Sequence, residues 1–150
     1  MTHQVPSVTR AVQTAVSEHR NLNRLVSQVE AAFSPAGGPH AGSGPDVVAA
    51  RLDALRGPLR AHFDEEERAG LFEQIERDAP EHARACARLR EDHETILRRI
   101  DTLRAASPLE RRRPMWIREV RRLLDEVHGH EARETDLLNR TLDGSTAAGD

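Results

Sequence analysis

The sequence has no tyrosine, only three phenylalanines and one tryptophan, and only nine glycines among its 150 residues. Strand-rich sandwiches and barrels draw on aromatic residues for their faces and on glycine for their turns, so this composition argues against them. Alanine, leucine, arginine and glutamate are abundant instead, and these residues favour helices. The composition therefore predicts an all-α fold.

Other absences limit the environment and the partners. A single cysteine, Cys86, excludes an internal disulfide and is typical of a reducing compartment, so we expect a cytoplasmic protein. No apolar run approaches the roughly 20 residues that cross a bilayer, and the first residues lack the layout of a signal peptide. Lysine is absent, the arginines are interleaved with acids, and the net charge is −3, so we expect neither a membrane nor a nucleic acid as partner.

Four segments carry apolar residues at spacings of three and four, the period of an amphipathic helix. The first covers about 7–33 and the second runs from Asp46 to about Arg77, with a kink or a break expected at Gly57-Pro58. The third opens near Pro80 and ends near 105. The fourth has a capping-box start at Ser107, becomes continuous from 114, and is expected to stop at 144.

Helices of similar length joined by short connections predict an antiparallel up-down-up-down four-helix bundle. We place this one domain at 7–143, with a loop over 34–45. Residues 1–6 are predicted to be a flexible N-terminus and 144–150 a disordered tail.

Polar residues interrupt the apolar face of every segment. Each segment has one histidine where the spacing predicts an apolar residue, and the second and fourth segments add a glutamate four residues later. The six residues are His19, His62, Glu66, His93, His130 and Glu134. Counted from the segment ends at about 1.5 Å per residue, the four histidines fall near one level. Glu66 and Glu134 are then expected to face each other in the middle of the bundle.

Burying these groups without partners would cost roughly 1–3 kcal/mol for each one. A metal ion removes this cost by taking the imidazole nitrogens and carboxylate oxygens as ligands. Such mixed ligation suits iron, manganese or zinc, and two neighbouring carboxylates commonly bridge two cations. The alternative from the residues alone is a metal-free helical interaction bundle with a buried polar network.

The six residues lie in four short motifs, Glu18-His19-Arg20-Asn21-Leu22, His62-Phe63-Asp64-Glu65-Glu66-Glu67, Glu91-Asp92-His93 and His130-Glu131-Ala132-Arg133-Glu134. These motifs resemble those of the hemerythrin-like, or HHE cation-binding, family, and the resemblance runs from about residue 8 to 142. The resemblance implies a four-helix bundle with a non-haem site of two irons. It further implies terminal histidine ligands, with Glu66 and Glu134 as bridging carboxylates.

The sequence departs from the oxygen-carrying members of this family at two positions. Those members have a second histidine four residues from the one on the third helix, where this chain has Leu89 and Leu97. They also have an aspartate five residues after the fourth-helix histidine, where this chain has Thr135, so that Glu134 or, less favourably, Asp136 would serve. One metal position is therefore short of a protein ligand, which argues against simple reversible oxygen carriage.

Three functions follow as hypotheses. The first is a metal-binding module that binds or senses O2, NO or redox state, or handles iron. The second is a di-iron oxidoreductase acting on peroxide or oxygen, and the third is the metal-free bundle. His128 is predicted to face away from the site, and Cys86 to serve packing.

Overall fold

A computed structural model describes residues 7–33 and 44–147 of the chain. Its elements are α1 (Ser7–Ala31), α2 (Pro45–Arg68), α3 (Leu71–Asp78), a 3₁₀ turn (Pro80–His82), α4 (Ala83–Arg104), α5 (Pro108–Arg111) and α6 (Pro114–Ala147). No strand occurs in these two ranges, and the all-α prediction is confirmed. The predicted N-terminal segment 1–6 and most of the predicted loop lie outside the described residues, as do the side chains of Val8, Val12 and Val16.

Four long helices, α1, α2, α4 and α6, pack as neighbours around a common core. Between α2 and α4, Arg56 contacts Asp101 at 3.0 Å and Arg104 contacts Asp53. The later residue of α2 thus contacts the earlier residue of α4. This is the pattern of antiparallel packing. At one end of the core, the indole nitrogen of the buried Trp116 donates a hydrogen bond to a backbone carbonyl of α4 at 3.1 Å.

The second predicted segment is two helices, and the chain does not break at Gly57-Pro58, where a kink or a break is predicted. α2 continues through Gly57-Pro58 because both residues are exposed while Leu55 and Leu59, on either side, are buried and hold the helix to the core. The break comes instead at Gly70, which has φ +69°, a left-handed conformation that glycine adopts without steric cost. α3 then packs back against α2 and α4.

The last predicted segment begins as expected and ends later than expected. Ser107 and Glu110 form the predicted capping box at the start of α5, and the continuous helix begins at Pro114. α6 runs on to Ala147, past the stop predicted at Gly144 and into the segment predicted to be a disordered tail. One glycine within a helix costs only about 1 kcal/mol relative to alanine, which is too little to end it.

A polar layer divides the apolar core. The larger apolar cluster includes Ile96 of α4 and Val127 of α6, and a smaller one includes Leu89 of α4 and Leu137 of α6. The histidines and glutamates of α4 and α6 lie between these residues along each helix. None of the described helices is long and apolar enough to span a membrane.

Candidate metal centre

The structure brings together all six side chains that the sequence singled out. Single histidines come from α1 and α4, and α2 and α6 each contribute a histidine and a glutamate one turn later. Five of the six are buried, namely His62, Glu66, His93, His130 and Glu134, while the side chain of His19 keeps 15% of its surface exposed. The helical period that turns the apolar residues inward therefore turns these six inward as well.

Glu66 lies between histidines of three helices. Its Oε1 is 2.5 Å from Nε2 of His62 and 3.8 Å from Nε2 of His19, and its Oε2 is 3.1 Å from Nε2 of His93. Its two oxygens thus face different histidines, which is the placement that a bridging carboxylate requires.

Glu134 approaches the same place from α6. Its Oε2 lies 3.4 Å from Nε2 of His19 and 3.9 Å from Nε2 of His130. Glu134 therefore lies between His19 of α1 and His130 of its own helix, α6.

The potential ligand atoms form two overlapping groups. His19, His62, Glu66 and Glu134 make one group, and Glu66, His93 and His130 make the other; within each group the atoms lie within 4.8 Å of one another. Each group could hold a metal ion, and Glu66 belongs to both.

The facing atoms are close together without hydrogen bonds of ordinary geometry. Within the described part of the chain, this holds for Nε2 of His19, His93 and His130 and for both carboxylate oxygens of Glu66 and Glu134. Buried polar atoms in native proteins nearly always have partners, so a cluster of such atoms aimed at shared points needs an explanation. A cation at those points satisfies all of them, and the donor set of nitrogen and oxygen fits iron, manganese or zinc.

Two histidines are held from behind by carboxylates of neighbouring helices. Nδ1 of His93 is 3.0 Å from Oε1 of Glu67, and Nδ1 of His130 is 3.3 Å from Oδ2 of Asp92. An ionised carboxylate only accepts, so each Nδ1 carries the proton and each Nε2 is directed at the site. Arg133 in turn donates to Asp92 at 2.7 Å.

Sequence reasoning missed these two supporting carboxylates. Helical spacing alone predicts a solvated Glu67, because it follows the inward Glu66, and it assigns no role to Asp92. The available signal was an acid adjacent to a motif residue, but the contact forms between helices, and spacing within one helix does not reveal it.

Two phenylalanine rings pack against the histidines on one side of the cluster. The Phe63 ring stacks on His93 with centroids 4.0 Å apart and meets His130 edge-on at 5.2 Å. Phe72 of α3 approaches His93 at 5.9 Å. The buried Cys86 belongs to the apolar cluster that contains Phe72, as its predicted packing role requires.

The charges and the burial of the cluster shift the pKa values of His19 and His130 in opposite directions. The carboxylates of Glu134 and Glu66 raise the pKa of His19 from 6.5 to about 10. Burial lowers the pKa of His130 to about 4, and the positive charge of His93 adds to this effect. At neutral pH the metal-free protein therefore has a protonated His19, whereas His130 is neutral and its Nε2 carries a free lone pair that can bind a metal.

The pKa values of the two glutamates are also shifted in opposite directions. Burial by itself would raise the pKa of Glu66, but the histidines around its two oxygens outweigh burial and hold that pKa far below the ordinary value. For Glu134 burial prevails, and the nearby charge of Glu66 raises its pKa further despite the opposing effect of His19.

The positions that depart from the oxygen carriers are not available as further ligands. Leu89 is buried in the smaller apolar cluster, and Leu97 packs against the larger one. Thr135 and Asp136 are exposed, and Asp136 pairs with Arg140 at 2.9 Å. Of Glu134 and Asp136, the two candidates for the missing aspartate, only Glu134 is buried.

An open groove between α1 and α6 reaches the cluster at His19. Glu131, which sequence reasoning did not consider, lines this groove; it is 9% exposed, and its Oε1 has no hydrogen-bond partner among the described residues. Burial raises the pKa of Glu131. His128 also lines the groove, but its side chain is 45% exposed and pairs with Glu30 at 2.8 Å, and it belongs to neither group of potential ligands.

Comparison with known proteins agrees with this geometry. No curated protein and no solved structure matches the chain. The hemerythrin HHE cation-binding domain matches residues 10–142, which include the six clustered residues and all four long helices in nearly their whole length. The chain therefore belongs to the hemerythrin HHE cation-binding domain family.

Proposed function

We propose that this protein holds two iron ions in its core and uses their open coordination positions to bind or sense O2, NO or the redox state. The observation that carries the proposal is the convergence of buried nitrogen and oxygen atoms that lack hydrogen-bond partners among the described residues. Both groups of these atoms use Glu66, which supports two ions sharing a carboxylate.

The two halves of the proposed centre would share Glu66. His19, His62, Glu66 and Glu134 would hold one ion, and His93, His130 and Glu66 the other. Oε2 of Glu134 also lies 3.9 Å from Nε2 of His130. Two histidines with a carboxylate form the ligand set of many non-haem iron sites, which keep positions open for a small ligand. Bound iron would supply those positions and the capacity to change oxidation state.

The chain's own residues prepare the site for this role. Glu67 and Asp92 fix the rings of His93 and His130 so that Nε2 faces inward. Phe63 keeps water from one side, while the groove at His19 offers a small molecule a route from solvent. The expected partner is therefore a small diatomic molecule or peroxide.

A set of three variants tests this proposal. His62→Ala and Glu134→Ala each remove a ligand, so protein purified from iron-replete cells should lose at least half of its iron. His128→Ala changes a histidine two residues from His130 that pairs with Glu30 outside the cluster, and it should retain all of the iron. Equal iron content in the three variants, or a wild-type protein without stoichiometric metal, would instead favour the metal-free bundle.

The second candidate is an oxidoreductase that consumes peroxide at the same centre, and Glu131 favours it. Reduction of one hydrogen peroxide to two waters takes two protons and two electrons, and two bound ferrous ions would supply the electrons. Glu131 is suited to pass on protons, because it is a buried carboxyl with a raised pKa beside the groove that reaches His19. With an added electron donor in excess, Glu131→Gln should then slow multiple-turnover peroxide consumption while leaving the iron content unchanged. Absence of turnover in the iron-loaded wild-type protein would leave binding or sensing as the function.

A further inference from the structure

A second cavity lies away from the six clustered residues, between the first turns of α4 and the later part of α6. Its volume is about 320 Å³, and none of the six clustered residues lines it. Four arginines line it, Arg84, Arg88, Arg133 and Arg140, together with the one acidic residue Asp136. We call it the arginine groove. Its positive lining contrasts with the net charge of −3 of the whole chain.

Two of the four arginines already have partners. Arg133 donates to Asp92 at 2.7 Å, and Arg140 contacts Asp136 at 2.9 Å. Arg84 and Arg88 form no ion pair or side-chain hydrogen bond with any residue in the described ranges. The groove thus presents two guanidinium groups, with about ten N–H donors between them, that the protein itself leaves unused.

The position of these two arginines is unfavourable for the protein alone. They are four residues apart on α4, so their side chains are neighbours on one face, where like charges repel. They also lie in the first two turns, near the positive end of the helix dipole, and the first turn has no acidic residue to balance them. A bound anion would remove both costs.

The chemistry of the lining defines the anion. A guanidinium group presents paired donors that match the oxygens of a phosphate. The two unused positive charges match a phosphate monoester, which carries about −1.5 to −2 at neutral pH. The exposed Ala85 and the aliphatic stems of the arginines give the groove an apolar part above the buried Leu89 and Leu137, and its size is that of a pocket for a small molecule.

We propose that the arginine groove binds a small organic phosphate, with Arg84 and Arg88 holding the phosphate and Ala85 and the aliphatic stems of the arginines contacting the organic part. This site is independent of iron, because it uses none of the six clustered residues. It is linked to them through Arg133, which lines the groove and contacts the Asp92 that supports His130.

Calorimetric titration of the full chain, as purified, with phenyl phosphate tests the proposal. The double variant Arg84→Gln/Arg88→Gln should bind at least about tenfold more weakly, because it loses charge-assisted hydrogen bonds. The control is Arg98→Gln/Arg118→Gln, which removes the same charge from exposed arginines of α4 and α6 outside the groove and should bind like wild type. Circular dichroism should show both variants folded, since the first relieves a repulsion; if it does not fold, Arg88→Gln alone takes its place.

Several results would overturn the proposal. Wild-type protein that does not bind phenyl phosphate at millimolar concentration would contradict it. Equal weakening in the two double variants would indicate an effect of net charge, and no weakening in either would place the phosphate elsewhere, for instance at the iron. Benzoate should bind at least about tenfold more weakly than phenyl phosphate, because it carries one charge less; equal binding would refute the assignment to a phosphate.

Discussion

The hydrogen bond between Glu67 and His93 offers a sharp test of how the proposed centre is built. Glu67 contacts Nδ1 of His93 at 3.0 Å, on the side of the ring away from Glu66. Replacing Glu67 by alanine removes this acceptor and leaves all six proposed ligands in place. The ring then loses the contact that keeps Nε2 directed inward, so we expect weaker metal binding without loss of the site.

The size of the effect follows from the geometry. Loss of such a supporting contact typically lowers metal affinity about 10- to 100-fold. The side chain of Glu67 is 46% exposed, so water can replace part of what it provides, and we expect the lower limit, about tenfold or 1.4 kcal/mol. Glu67→Gln keeps a neutral acceptor and loses only the charge, so about half of that free energy, or threefold in affinity, should be lost.

Anaerobic competition with a chromophoric iron(II) chelator measures both steps of binding. Only the ion held by His93 should be weakened, while the ion held by His19 and His62 keeps its affinity. Glu65→Ala is the matched control, because Glu65 is an exposed glutamate of the same helix turn whose side chain forms no hydrogen bond or ion pair with any described residue. Equal affinities for Glu65→Ala and Glu67→Ala, or an equal loss at both iron positions, would refute the reasoning.

Three further predictions concern the support of His130, the charge of His19 and the break after α2. Asp92→Ala should weaken iron binding at the position of His130 about tenfold in the same chelator competition. Arg133→Gln leaves the contact between Asp92 and His130 in place and should weaken this binding less; the reverse order would contradict the assignment. The pKa of His19 is about 10 in the folded metal-free protein, against 6.5 for an unperturbed histidine in the unfolded chain, so the folded state keeps a proton that the unfolded chain loses. The free energy of unfolding of the metal-free protein, from urea titrations, should therefore contain a part that falls from pH 6.5 to 10 and disappears in His19→Gln; identical slopes in the two proteins would contradict this. Gly70→Ala should lower the free energy of unfolding by about 1 kcal/mol because of its φ of +69°, and Gly70→Asn by less, and an unchanged urea midpoint in Gly70→Ala would contradict the role of this glycine.

The helical period predicted the six polar residues that converge in the interior, although it did not reveal the buried Glu131. His93 lies seven residues after Cys86 and three before Ile96, and His130 lies three after Val127, so each occupies a position on an apolar face. Such spacing follows from backbone geometry, which is the same in every helix. The structure accordingly places these side chains together.

Residues whose position depends on contacts between helices could not be predicted in this way. Glu67 and Asp92 lie beside the inward face, and only the packing of α2, α4 and α6 brings them to the ring nitrogens. The helix break was also misplaced, because the cost of Pro58 within a helix is offset by buried leucines on both sides. Local propensity at Gly57-Pro58 was therefore a weaker determinant than packing, while the left-handed Gly70 had no distinctive signal around it.

The central claim is that two ions share Glu66, and titration of the metal-free protein with iron(II) under anaerobic conditions tests it most directly. The proposal predicts an end point at two equivalents of iron per chain. It also predicts that Glu66→Ala lowers binding of both ions, because its two oxygens face different histidines. An end point at one equivalent, or a Glu66→Ala variant that loses only one ion, would contradict the shared carboxylate, and failure to bind iron at all would contradict the metal centre itself.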